Sequence, residues 1–208
     1  GFAAGGPTDV VMRLIAQHMT PLLGQSVIVE NKTGANALIA TEEVARANPD
    51  GYTLIFNSLN HNVNHILMPG RVKYDPIKSF APVTLVGKAP MIIVTAYDAP
   101  FASLNDMIGK GKANPRSITF GSAGNGGSAH LAGELLKSKT GVDMTHVPFR
   151  GNAPALIEVM AGRVSFMFYP SIGVADNVAS KRLKVLAVAA LQRNPDFPGV
   201  PTADELGL

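Results

Sequence analysis

The sequence predicts an α/β protein of two lobes, each a mainly parallel sheet flanked by helices, and three observations carry that expectation. Short apolar runs alternate with amphipathic helical stretches, the pattern of strands covered by helices. Glycine-rich turns stand where a strand-like run ends and a helix begins, at Phe2 to Asp9 and at Gly121 to Ser128. The alternation restarts after Tyr97-Asp98-Ala99-Pro100, so each half has its own series. Lobe 1 is therefore expected over 1–97 and lobe 2 over 98–195, with 196–208 returning to the first and hinges near Tyr97 and Arg193.

The first helix is expected from Pro7 or Thr8 to Leu23, because Val10, Val11, Leu14, Ile15, Leu22 and Leu23 recur on one face and Gly24 stops it. Pro7 suits the first turn, and Asp9 suits its positive end while pairing four residues on with Arg13. Val27 to Glu30 reads as a strand, Ala37 to Ala47 as a helix, and Asn48-Pro49-Asp50-Gly51 as a turn into the strand Tyr52 to Phe56. Further strands are expected at Ala81–Val86 and Met91–Thr95.

The second series runs helix Ser103–Ala113, strand near Ile118, the glycine turn, a helix to Thr140, and a strand at His146-Val147. A helix over Pro154–Met160, a strand Val164–Phe168, a helix Ile172–Ser180 and a strand Lys184–Ala189 complete it. The chain opens on Gly1 in what reads as a strand-to-turn transition, and its return segment is short. Both termini are therefore expected to be incomplete.

Composition removes several functions. With 208 residues and 46% hydrophobic content the chain supports a proper core. A net charge of +3 with scattered Lys and Arg, and 6% aromatics, gives no basic stripe, so no nucleic acid is expected as partner. The absence of cysteine excludes disulfides, thiolate catalysis and Cys-ligated metals. No apolar run is long enough to span a membrane as a helix.

The chemistry is expected at the carboxyl ends of strands, where loops and helix N-termini converge. Small residues let backbone N–H groups approach a ligand, and a helix N-terminus behind them favours an anion. The first turn offers Phe2, Ala3, Ala4, Gly5, Thr8 and Asp9. The second offers Ser122, Ala123, Gly124, Gly127 and Ser128, with His130 beside it. Further strand ends supply Ser58, Asn60, His61, Arg150 and Tyr169. These are binding groups with little acid–base machinery among them, and neither a catalytic residue, a cofactor nor a metal is expected. His61 and His65 have the spacing of a helical metal pair but lack a third ligand; His18 reads as helix surface, His65 and His146 as packing or capping groups.

One motif competes. Gly124-x-Gly126-x-x-Ala129 matches a dinucleotide turn and opens the alternative of an NAD-dependent enzyme. That fold needs an acid at the carboxyl end of the next strand, whereas Asp143, at the right spacing, precedes its strand. A nucleophile elbow fails, since Gly126-Gly127-Ser128-Ala129-His130 has histidine in place of the last glycine.

Several stretches taken together resemble one family: Phe2 to Asp9 with Arg13, Val29-Glu30-Asn31-Lys32, Asn48 to Leu54, Phe80 to Val86, Gly121-Ser122-Ala123-Gly124, His130 to Glu134, His146 to Gly151, and Pro201 to Glu205. The chain is similar throughout to the Bug or TctC receptors of tripartite tricarboxylate transporters. The resemblance implies a periplasmic-binding-protein fold of the Venus flytrap type and a periplasmic receptor without catalysis. It would act as a monomer, closing on a small di- or tricarboxylate, acidic amino acid or aromatic acid and delivering it to a membrane permease. By position it assigns the carboxylate, partly through ordered water, to Ala4, Gly5, Thr8 and Asp9 and to Ser122, Ala123, Gly124 and Ser128. Phe2 and Tyr169 are expected beside the carbon skeleton. Two departures stand out: Gly34-Ala35-Asn36-Ala37 replaces a glycine-rich segment, and Ser165 replaces an acid before Phe166-Met167-Phe168.

Overall fold

Strand alternation builds the sheet. In β1 (Met91–Ala96) and β4 (Phe166–Pro170), Ile93, Phe166 and Phe168 point to one face while Ile92, Val94, Met167 and Tyr169 point to the other. Helices α4 (Leu104–Ala113) and α5 (Ser128–Thr140) cover the first face, through Leu104, Met107 and Leu136. Helix α6 (Asn152–Met160) covers the second, through Ala155, Leu156 and Val159. The result is a three-layer body around a five-stranded sheet, completed by β2 (Ile118–Ser122), β3 (Met144–Pro148) and β5 (Leu183–Ala189) in the order β3-β2-β4-β1-β5. The structure, a computed structural model, describes residues 1–208.

The sheet is mixed, not mainly parallel. β2 runs parallel to β3 and β4, but β1 runs antiparallel to both β4 and β5. The reason lies in connectivity: β1 enters from the first half of the chain and not through a βαβ crossover. Its residues, which precede the expected boundary at 97, thus sit between two strands of the second half. Tyr97 donates its N–H to the Arg182 carbonyl, and Arg193 is held by Glu205 and the Pro198 carbonyl.

In the first half, α1 (Pro7–Leu23) forms as expected, with Pro7 in its first turn and Gly24 ending it at φ 65°. Its apolar stripe stays largely in solvent: Leu14 and Leu22 are 56% and 84% exposed. Helix α2 (Leu38–Arg46) follows a short 3-10 turn at Ala35–Ala37, and α3 (Asn60–Leu67) occupies a stretch read from sequence only as a strand-end loop. The expected strands at Val27–Glu30, Tyr52–Phe56 and Ala81–Val86 pair with no neighbour, so no ladder defines them. Alternation gives a segment its two faces; only a neighbouring strand makes it a sheet. A short helix α7 (Ala175–Ala179) and a 3-10 turn at Asp204–Leu206 end the second half.

Ser165, where an acid was expected, binds the sheet internally. Its N–H donates to Thr119 Oγ1 (3.0 Å), its Oγ accepts from the Thr119 N–H (3.1 Å) and its carbonyl from Thr95 Oγ1 (2.7 Å). Parallel register puts this junction at the start of β4, away from the turn that ends β2.

Candidate functional site: two glycine turns on one rim

The first turn is shaped by its own aspartate. Asp9 is 6% exposed; Gly5 N–H (2.9 Å) and Arg13 Nε (3.0 Å) donate to Oδ2, and Asn31 Nδ2 (2.8 Å) to Oδ1. Burial alone would raise its pKa, but these three donors outweigh it and hold the carboxyl at about 2. Asn31 also donates to the Phe2 carbonyl (3.1 Å), tying the turn's start to its helix. Gly5 N–H is therefore occupied by Asp9, so the expected contact of that group with a ligand is replaced by an internal one. The N–H groups of Ala4, Thr8 and Asp9 have no acceptor in the chain, because α1 carries no side-chain cap and its first internal bond is Val10 N–H to the Gly6 carbonyl.

The second turn is held by two histidines. Ser122 Oγ, fully buried, accepts the Gly124 N–H (3.1 Å), donates toward the Gly124 carbonyl (3.0 Å) and lies 2.6 Å from His146 Nε2. His130 Nδ1 accepts the Gly126 N–H at 3.0 Å, which fixes that nitrogen as unprotonated in the neutral ring. The two imidazoles lie 4.1 Å apart, and the Phe120 ring packs 4.9 Å from His146 and 6.4 Å from His130. With Gly124 and Gly126 occupied in this way, Ala123, Asn125, Ser128, Ala129 and His130 keep free N–H groups at the uncapped start of α5.

His146 was read from sequence as a packing or capping group; the structure adds its bond to Ser122. Parallel pairing puts Phe120 opposite His146, so the histidine shares the face of Phe120 and of Ser122 two residues on. Desolvation, with the neighbouring His130 adding to it, pushes His146 down to about 4. In the unfolded chain this imidazole protonates near pH 6.5, in the folded chain only near 4. Between those values the unfolded state binds more protons, so stability is complete above pH 6.5 and falls as pH drops toward 4, by less than the full shift because the imidazole is partly solvated. Urea unfolding across that range is expected to show the loss, and His146→Gln to flatten it; equal slopes in both proteins would refute the assignment.

The two turns share a rim. A Cβ on Gly151 would meet Ala3 at 2.9 Å, and one on Gly127 would lie 3.5 Å from Asn36 Oδ1. Gly124 lies beside the Phe149 carbonyl, 3.7 Å from its Cβ position, so the first turn, the segment at Asn36 and the turn after β3 border one space. Arg150 is exposed at its mouth and makes no ion pair.

Other expected site residues lie elsewhere or act indirectly. Tyr169 is 4% exposed among Ile92, Val94 and Met167, and its burial pushes the phenol up to about 12. It is a core residue because helices cover both faces of the sheet, so that Tyr169 is buried with Met167 on one face as Phe168 is on the other. His61 Nε2 bonds the Pro76 carbonyl (2.9 Å) and its ring packs 5.4 Å from Tyr74 and 4.7 Å from Phe80, so it builds a local aromatic cluster. Asn60 is buried and donates to the Asn36 carbonyl (2.9 Å), while Ser58 Oγ donates to Asn60 Oδ1 (3.0 Å). They support the Asn36 segment. No group of three His, Asp or Glu side chains converges as a metal site, and His61 and His65 gain no third ligand. Asp143 pairs with Arg116 (3.0 Å) before β3, at the sheet end opposite Gly124, where it has no reach to a nucleotide on the turn. A groove of about 540 Å³ between Tyr97, Ile157, Met160 and Arg182 borders neither glycine turn.

The α/β body carries two uncapped helix N-termini, each behind a glycine turn, on segments that border one space. A family profile described as the tripartite tricarboxylate transporter family receptor, TctC, matches residues 11–208, and the chain belongs to that family. The family consists of periplasmic solute-binding receptors and not enzymes. The chain is 35% identical to protein BugT of Bordetella pertussis over 99% of its own length and 64% of that protein. It superposes on MatC from Rhodopseudomonas palustris with bound malate at a TM-score of 0.92 and 36% identity, covering 100% of this chain and 70% of that one. Rpa4515 of R. palustris with adipate gives 0.94 at 32% identity, with 99% and 69% covered. The chain spans about three fifths of the length of the curated relatives it matches. No helix is long and apolar enough to cross a membrane.

Proposed function

We propose that the protein is a periplasmic receptor that captures a small carboxylate between its two glycine turns and delivers it to the membrane permease of a tripartite tricarboxylate-type transporter. The observation that carries this reading is the pair of donor arrays at Ala4, Thr8 and Asp9 and at Ala123, Asn125, Ser128 and Ala129, which are free of internal acceptors and face one rim. An anion is favoured there by both helix dipoles and by several N–H groups at once. The relatives whose structures hold malate and adipate bind ligands of that chemistry. We place lobe 1 at 1–97 and lobe 2 at 98–195, except that β1 completes the sheet of lobe 2 and the segment 196–208, expected to return to the first lobe, lies instead along β5, where Val188 bonds Pro201 and Ala203. The two lobes close as a monomer about the segments at Tyr97 and Arg193.

Thermal unfolding in a panel of malate, adipate, citrate, glutamate, benzoate and NAD tests the reading. A carboxylate at 100 times its Kd is expected to stabilise the fold by about 2.7 kcal/mol, raising Tm by several degrees. Stabilisation by NAD with none by any acid would overturn it.

A further inference from the structure

The segment Ala35-Asn36-Ala37 holds three successive non-glycine residues at positive φ, of 47°, 55° and 64°. Asparagine tolerates this region; alanine does not, and such backbone costs of order 1–3 kcal/mol per residue. The segment persists because it is braced from outside. Asn60 Nδ2 and Asn64 Nδ2 both donate to the Asn36 carbonyl (2.9 and 3.1 Å), and Asn36 Nδ2 donates to Asn64 Oδ1 at 2.8 Å. These bonds also fix the amide's orientation. Asn64 turns its nitrogen to a carbonyl, so its oxygen faces Asn36 and must meet the Asn36 nitrogen.

The remaining atom, Asn36 Oδ1, is fully buried without a donor, and no other buried side-chain nitrogen or oxygen is in that position. A buried acceptor left unmade costs about 1–3 kcal/mol. It lies 3.5 Å from the Cβ position of Gly127, one residue from the free N–H groups that open α5.

We propose that Asn36 selects the ligand, its carboxamide oxygen accepting a hydrogen bond from a hydroxyl on the carbon next to the bound carboxylate. The inference rests on the carboxylate-receptor reading and narrows it to 2-hydroxy acids. A carboxylate has no donor to give, so the donor belongs to the adjoining carbon. A hydroxyl suits the site better than an ammonium, because Asp9, the carboxylate of the first turn, is already neutralised by Arg13 and its other donors.

Calorimetric titration of the protein with two matched pairs, malate against succinate and lactate against propionate, tests this. The hydroxylated acid of each pair is expected to bind about tenfold more tightly. In Asn36→Gly, whose residue adopts φ 55° without strain, that ratio is expected to fall to about one while succinate and propionate keep their affinity within about threefold. Equal binding within each pair by the unmodified protein would mean that water occupies the acceptor, and would overturn the proposal while the receptor reading stands. A tenfold ratio surviving in Asn36→Gly would overturn it equally. Failure of all four acids to bind would remove both.

Discussion

Gly124→Val is expected to lower carboxylate affinity by about two decades while lowering the unfolding midpoint by about 2–4 °C for each kcal/mol of strain it introduces. Gly124 holds φ 130°, which L residues rarely adopt, and its N–H and carbonyl are the groups that Ser122 Oγ grips. A valine there forces the turn into another conformation at a cost of about 1–3 kcal/mol, mostly local because the turn faces the rim. Losing the aim of two N–H groups toward an anion, at about 1.5–3 kcal/mol each, yields the two decades. Calorimetry beside a denaturation curve separates the effects. Undiminished affinity for the stabilising acids would show that the turn is not the cradle.

Gly133→Val is expected to act on stability alone, and heavily. A Cβ at this position would stand 2.2–2.9 Å from three carbons of the Phe120 ring, and Phe120 is completely buried between Phe166 and the histidine pair. Neither the ring nor α5 can yield without reopening the core, so a net loss of about 3 kcal/mol or more is expected, even though removing a glycine from the helix interior returns a fraction of the roughly 1 kcal/mol it costs there. A urea midpoint shifted accordingly, and partly restored by adding Phe120→Leu, would confirm the clash. An unchanged midpoint would mean that α5 rides further from β2 than its 13 residues and their buried Ala129 and Leu136 place it.

Much of this architecture is legible in the residues. Pro7 and Gly24 bound α1, and the alternation of Phe166-Met167-Phe168-Tyr169 sets two faces for β4. The glycine turns follow from small residues between a strand and a helix. What the residues leave open are relations between distant segments. The antiparallel placement of β1 depends on partners at 166–170 and 183–189, which no local pattern encodes. Tyr169 was expected beside the ligand from its place at a strand end, but helices cover both faces of β4 and bury it with Met167. The His146 contact with Ser122 needed the register between β2 and β3, and the free oxygen of Asn36 needed the positions of Asn60 and Asn64 as well. The departure at Gly34 to Ala37 did mark the place, since glycines give way there to residues that the backbone strains.

The strand from the first half that lies inside the sheet of the second bears on how the chain acquires its shape. β1 is finished by residue 96, yet its partners lie about 75 to 95 positions further along. During synthesis it emerges with both edges unpaired and can be closed in only when β5 leaves the ribosome. Pairing across such loops is slow, because the entropy of closing them precedes any gain from the ladder. Residues 91–96, apolar and open on both sides during that interval, are the segment a folding helper would have to shield.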